Sequence, residues 1–545
     1  MTAFWIIVGY LIVLILLGIF ANRVFRGTAV DYFLASRGIG PFMLLMSLFG
    51  TTMTAFAMVG SSGESFETGI GVYGLMASWS GIIHSLCFFL VGVKLWSFGK
   101  RFGYMTQIQF FRDRFESRRV GMLLFPLLVA MMVPYLLVGV IGLGSTMFGS
   151  TAGAFPKLFP KTGGAIPPWL GMGVISGVVL LYVFVGGVRS TVWVNAFQNA
   201  LFMTVGIATM FVIANKLGGA DKATQMVAEK NPSLLKRTFD PKDEPQFQAR
   251  LAASQKKQLE WEQGGKKGRP PAEVKRPGIG QFQFLSYAFI PLSVAMFPHL
   301  FQYYLTAKSA KTFRLSVILH PVCILIIWLP CVILGVWATS AMVDGRPVIP
   351  PTFTNTNAVL AKMVKDLTGP VLGGLTAAGI LATNSLDAQF LCLGTMFTND
   401  VVVHHFGEKR FSDRQLVMFG RLFVVAIVIV TYLISLMEPR RVFQLGTWCF
   451  AGFASLFPLV IAALYWRRTT KWGAYASIIA AGALWFYFFY DSGYGANTHY
   501  LVWDMQPAAP ITLAAAAALV IVSLMSRPPS AATLEKFFGA PVHAR

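Results

Sequence analysis

The chain has 545 residues, 55% of them hydrophobic and only 12% charged, with a formal net charge of +22. Average soluble proteins carry about 25% charged residues, so this balance excludes an ordinary water-soluble domain. Apolar blocks of about 20 residues between short charged connectors fit helices crossing a hydrocarbon core of about 30 Å. Membrane-spanning barrels alternate apolar and polar residues, and runs such as Phe4–Phe20 and Leu422–Leu436 do not. The basic excess suits the rims of a membrane protein. No basic stretch is interleaved with base-stacking aromatics, so membrane lipid is an expected partner and nucleic acid is not. Cys87, Cys323, Cys331, Cys392 and Cys449 all lie in apolar blocks without a CxxC pair. They read as small buried hydrophobes.

The fold class is therefore an all-α polytopic membrane protein of about thirteen spans. In chain order these fall near 3–21, 41–63, 70–97, 120–147, 167–187, 191–214, 281–305, 315–342, 369–398, 414–436, 443–465, 472–490 and 507–525. The first block lacks a basic leader and runs straight into Asn22-Arg23-Val24-Phe25-Arg26, so it reads as a retained span. Basic clusters lie at Arg23–Arg37, Lys100–Arg119, Arg189, Lys308–Arg314, Lys409–Arg414 and Arg467–Lys471, and after Arg527. All fall on one side if the N-terminus is outside and the C-terminus cytoplasmic, as expected of a plasma-membrane protein. Arg440-Arg441 is the clustered exception. Residues 216–280 then lie outside, with charges of both signs from Lys256 to Lys267 and turns at Gly264-Gly265 and Pro270-Pro271. They read as a solvated insertion.

Two spans are unusually polar inside. Span 2 contains Gly50-Thr51-Thr52-Met53-Thr54, and span 9 contains Thr383-Asn384-Ser385-Leu386-Asp387. Polar groups at membrane depth line a cavity or pack against protein. Asp387 is the only carboxylate deep in a span. It suits electrostatic support of an ion site or proton acceptance, and equally a structural hydrogen bond or ion pair. Glu64 and Glu67 read as part of the next connector. His404-His405 with Glu408 lacks HExxH spacing on a helix and reads as a solvated turn.

Four segments in order carry a family resemblance. They are Asp31-Tyr32-Phe33-Leu34-Ala35-Ser36-Arg37; Gly186-Gly187 with Trp193 and Gln198; Pro298-His299 followed by Lys308; and Asn384-Ser385-Leu386-Asp387-Ala388-Gln389 through Thr398-Asn399-Asp400. Together they resemble the sodium:solute symporter family, which has the leucine-transporter-type fold. The resemblance implies a core of two inverted five-helix repeats, at 41–215 (spans 2–6) and 281–466 (spans 7–11). Residues 1–40 would hold the first span and its connector, and 467–545 would hold spans 12 and 13 and a cytoplasmic tail.

By the same resemblance a sodium ion would take carbonyls of Gly50, Met53 and Leu381 and the side chains of Asn384 and Ser385. Oxygen donors suit a hard cation. Asn384 stands where the family has a hydroxyl, and Asn195 where an acidic residue is frequent, preceded by Val194 for the usual threonine. Thr52 stands where some members have an aspartate. Substrate contacts are expected from Thr54, Ser61, Ser62, Trp79, His84, Tyr287, Ser293 and Phe297; helix packing is the alternative role for each. The implied function is sodium-coupled symport of a small organic solute by alternating access. Proton coupling through Asp387 or His84 and a solute-sensing role are the alternatives, and an enzyme is not expected.

Overall fold

Lipid offers no hydrogen bonds to a peptide backbone, so a spanning chain satisfies its polar groups internally as helix. In the computed structural model the described chain is helical almost throughout; its strands among the described residues are a short hairpin of Met342–Val343 with Arg346–Pro347. The structure describes all residues except 23–27, 241, 243–244, 246–247, 250–251, 254–255, 257–259, 261–277, 351–352, 354, 383–384, 408–409, 438–440 and 540–545.

Among the described residues nine helices are long and apolar enough to cross a membrane, and up to eleven spans result when two bent pairs each count as one. The pairs are Pro41–Thr52 with Phe56–Thr68, bent by 52°, and Gln281–Ala295 with Pro298–Thr306, bent by 51°. They coincide with expected spans 2 and 7. The expected count of about thirteen differs at two places. Pro168–Lys216 is one 49-residue helix by hydrogen bonding, about 73 Å at 1.5 Å per residue, and expected spans 5 and 6 both fall in it. Expected span 9 falls on Pro370–Ala382 and Leu386–Met396, each shorter than a crossing.

The long helix is interrupted at Gly187, where φ is 57° and ψ −150°. A Cβ there would lie 2.6 Å from the Tyr32 carbonyl oxygen, so both conformation and space require glycine. The same turn is tied to the connector before span 2. Arg189 donates from Nε to both carboxylate oxygens of buried Asp31 (3.0 and 3.1 Å) and from Nη2 to Oδ1 (2.7 Å). Tyr32 donates its hydroxyl to the Val183 carbonyl at 3.0 Å. Two of the sequence segments that carry the family resemblance are thus one structural joint. A second joint links the connector after span 3 to the end of span 9: Arg112 pairs with Asp400 at 3.2 Å, and Thr106 donates to the same carboxylate at 3.0 Å.

Two polar features change meaning. Arg441, an exception to the basic-rim pattern, forms an ion pair with Glu67, so its charge is balanced within the protein. The start of the 216–280 insertion is packed down. Helix Ala220–Lys230 buries Ala223 and Val227, Thr224 accepts from Trp337 Nε1 at 3.0 Å, and Asn231 donates to Ser340 at 3.1 Å. Much of the charged stretch after residue 240, with both Gly264-Gly265 and Pro270-Pro271, lies outside the described residues.

Span 4, Arg118–Thr151, runs past both broken regions. A Cβ on Gly139 would lie 2.6 Å from Leu386 Cγ, and one on Gly142 would lie 2.3 Å from Ala55 Cβ. Glycine therefore permits spans 2 and 9 to close on one face of span 4, as small residues do between membrane helices. Gly142→Ala is expected to destabilise the protein by about 1–3 kcal/mol through overpacking. Gly9→Ala, whose Cβ meets nothing within 4 Å, is the control, and melting temperatures of the two purified variants check it.

Candidate functional site

The first half of span 2 ends in the sequence Gly50-Thr51-Thr52, and the chain turns extended at Met53, with ψ 98°. Thr54 starts the second half: its Oγ1 accepts the Phe56 amide at 3.1 Å and its carbonyl accepts the Ala57 amide at 2.9 Å. This is how a threonine caps a helix start. The Met53 amide reaches back to the carbonyls of Phe49 and Gly50, at 3.0 and 3.1 Å. The Tyr135 hydroxyl donates to the Thr51 carbonyl at 3.4 Å, and Trp328 Nε1 donates to Met53 Sδ at 2.8 Å. Side chains of spans 4 and 8 thus cover polar and polarizable groups that the break exposes.

Beside this break, and beside that of span 7, lies a small cavity of about 20 Å³. Its walls include the aromatics Phe56, Tyr135, Phe297, Trp328 and Phe450. Its polar lining comes from Thr51, Thr52, Ser80, Ser293, His84 and His299, with no Asp, Glu, Lys or Arg among the described residues. Tyr135 stacks on Phe297 at a centroid distance of 5.2 Å, and both pack edge-on against Phe450. Behind the wall, His320 and His84 are edge to face at 5.3 Å. Thr52 donates to the Phe49 carbonyl at 2.7 Å and lies 3.3 Å from His320 Nε2. His299 has neither ring nitrogen hydrogen-bonded among the described residues.

In span 9 the helix Pro370–Ala382 precedes residues 383–384, which lie outside the described residues, and the helix Leu386–Met396 follows Ser385. Buried Ser385 accepts from Gln389 Nε2 at 2.6 Å, which leaves its hydroxyl oxygen one further lone pair. Asp387 is wholly buried and accepts the Ala388 amide on Oδ1 at 2.7 Å. No basic side chain pairs with it among the described residues. Tyr10, Tyr182 and Tyr303 all lie within electrostatic reach of its carboxylate. The next ring of contacts comes from span 6: Gln198 donates to Tyr10 at 3.0 Å, Asn195 donates to Tyr303 at 3.3 Å, and Thr191 lies 3.1 Å from the Tyr303 hydroxyl. Asn195 and Gln198, two positions singled out in the sequence, thus converge on the span 9 carboxylate.

The structure distributes the expected site residues unevenly. His84, Ser293 and Phe297 line the cavity. Thr54 caps the restart of span 2, while Ser61 and Ser62 donate to their own helix at Ala57 and Met58, 2.5 and 2.8 Å away. Tyr287 is buried and Trp79 half-buried, and neither is on the cavity wall. Of the expected sodium ligands, Gly50 and Met53 lie at the span 2 break, Leu381 lies near the end of the helix Pro370–Ala382, and Ser385 precedes the helix Leu386–Met396. Asn384 lies outside the described residues. Glu408 of the His404-His405 turn also lies outside them, and the described residues contain no group of three or more metal-type ligands. The sequence reading missed His320, Tyr135, Trp328 and Phe450. A lone histidine in apolar span 8 was the one available signal; the aromatics are indistinguishable from core by sequence.

Residues 32–481 match the sodium:solute symporter family. The chain is 24% identical to the osmoregulated proline transporter OpuE of Bacillus subtilis, over 97% of this chain and 96% of that one. It is 23% identical to the sodium/proline symporter of Escherichia coli, over 98% and 95%. It is 24% identical to the sodium/pantothenate symporter of that organism, over 88% of each chain. Among solved structures, a Na+-coupled sialic acid symporter in a substrate-bound outward-open state superposes with a TM-score of 0.71 at 16% identity, covering 97% of this chain and 99% of that one. A nucleobase-cation-symport-1 family transporter superposes at 0.51 and 11% identity, covering 93% and 98%. The protein belongs to the sodium:solute symporter family and is a multi-pass membrane transporter with a broken-helix core.

Proposed function

We propose that this chain carries a small, compact solute of no net charge, or a carboxylate neutralised by sodium, by alternating access through the cavity at the breaks of spans 2 and 7. The observation that carries this reading is the cavity's lining: aromatics and neutral polar groups, with no charged side chain among the described residues. An unpaired charge in such a site is costly, and with room for about one water (about 20 Å³) the cavity admits a solute only when the helices around it move. Relatives named as proline and pantothenate transporters are consistent with a solute of this kind.

The sodium ion is assigned between the break of span 2 and the middle of span 9. Its donors would be the carbonyls of Gly50, Met53 and Leu381 and the side chains of Asn384 and Ser385, an all-oxygen set suited to a hard cation. Asp387, two residues from Ser385, supplies a nearby negative charge where Asn195 does not. Binding there from outside stabilises the solute-ready state, and closure then releases both inward. Each cation moving inward gains about 2.3 kcal/mol per 100 mV. In this reading spans 2–6 and 7–11 are the two inverted repeats, and the N-terminus is outside and the C-terminus cytoplasmic, as the basic rims indicate.

Purified protein in vesicles is expected to show uptake stimulated by an inward sodium gradient when screened with small neutral and carboxylate solutes. Ser385→Ala should raise the sodium concentration for half-maximal uptake by about tenfold, the equivalent of about 1.4 kcal/mol. Thr376→Ala is the control, because Thr376 bonds to Thr209 at 2.5 Å and to its own helix. Equal effects, or uptake indifferent to sodium, overturn the assignment. Proton coupling is the competing reading, favoured by the burial of Asp387 without a basic partner among the described residues. Uptake driven by a pH gradient without sodium, and lost in Asp387→Asn, would establish it. Ser293→Leu, which adds bulk on the cavity wall, should raise the half-saturating solute concentration by about tenfold while leaving the melting temperature of the solute-free protein near that of the parent.

A further inference from the structure

The rim formed by the end of span 11, the start of span 12 and the end of span 13 holds a cleft of about 580 Å³ that the transport reading does not use. Three cations line it: Arg114, Lys471 and Arg527. Arg114 is wholly buried, yet its partners are carbonyls rather than a carboxylate: Nε donates to Ala463 at 2.9 Å and Nη2 to Trp466 at 3.3 Å. Its Nη1 has no hydrogen-bond partner among the described residues. The one carboxylate on the cleft, Glu116, accepts from Ser530 and Thr533 and forms no ion pair with Arg114. Burial pulls the Arg114 guanidinium down to about 10.

The guanidinium also lies over the rings of Phe115, Phe537 and Phe538, at 5.4, 5.9 and 5.2 Å; such faces offset part of the cost of burying a cation, but its spare N–H is still satisfied only by an acceptor. The rest of the cleft suits an anion. Thr470 caps the 21-residue helix Lys471–Asp491, whose first turn has no acidic residue, so its positive end opens on the cleft. The depth is that of a headgroup: span 12 begins and span 13 ends here, and Trp472 and Met525 stand exposed beside it. An exposed tryptophan at a span end marks the membrane interface.

We propose that this cleft binds the phosphate of an anionic phospholipid headgroup, held by Lys471, Arg527, the spare donor of Arg114 and the start of the helix Lys471–Asp491. The lipid sits beneath the C-terminal helix Ala531–Phe538, which Glu116 anchors through Ser530 and Thr533, and which Lys536 fastens to Asp113 at 2.6 Å. The inference does not depend on the solute or coupling ion.

The test is native mass spectrometry of the purified, delipidated full chain with phosphatidylglycerol, with phosphatidylcholine of the same acyl chains, and with inorganic phosphate. Phosphatidylglycerol should bind about tenfold more tightly than phosphatidylcholine, as two basic side chains near an anionic headgroup supply. The pair Lys471→Gln with Arg527→Gln should abolish that preference, and Arg314→Gln, in another connector, should not. Melting temperatures without added lipid check that each variant is folded. Equal binding of both lipids, or a preference that survives the double substitution, overturns the proposal. Inorganic phosphate that displaces phosphatidylglycerol and stabilises the protein as well would assign the site to a soluble phosphate and overturn the lipid source.

Discussion

A helix that breaks inside a bilayer releases backbone groups that lipid cannot satisfy, and this constraint organises the fold. At Met53 the chain leaves the helix, and everything packed around it compensates. Thr54 caps the restart, Tyr135 donates to a freed carbonyl, and Trp328 covers the Met53 sulfur. Such coverage requires close approach. Gly142 brings span 4 against Ala55, and Gly139, nearly one turn earlier, brings the same face against Leu386 at the start of the helix Leu386–Met396. One helix face therefore sets the spacing of spans 2 and 9.

The same economy governs charge. Asp31 with Arg189 and Asp400 with Arg112 are charge pairs tied by several hydrogen bonds, and each joins a connector to the end of a broken or kinked element. Pairing and hydrogen bonding offset the cost of desolvating such groups. Asp387 is treated differently. Tyr182 and Tyr303 lie within electrostatic reach of it, and no basic side chain pairs with it among the described residues.

The cavity and the expected ion ligands are neighbours through span 2. Thr51 and Thr52 line the cavity, and the next residue is the break itself. Under the proposed assignment a short run of backbone would join the two sites, and coupling of two ligands needs such a shared element. The aromatic cluster of Tyr135, Phe297 and Phe450 completes the cavity wall by packing on itself.

The membrane class, the approximate spans and the polar interior of spans 2 and 9 were readable from residue order, because hydropathy and runs of small polar residues are local properties; the bend in span 7 was not. Ser385, Asp387, His84 and Ser293 were readable as candidates because polar groups at membrane depth are rare. Tertiary structure alone decided their partners. His320 and Trp328 on span 8 reach the span 2 break over 260 residues of sequence, and the convergence of Asn195 and Gln198 on the surroundings of Asp387 depends on how span 6 packs against spans 1, 7 and 9. Ser61 and Ser62, equally polar by sequence, were spent on their own helix. A local pattern can say that a polar group needs a partner in lipid. Which partner it finds is set by packing between helices, where distance along the chain carries no information.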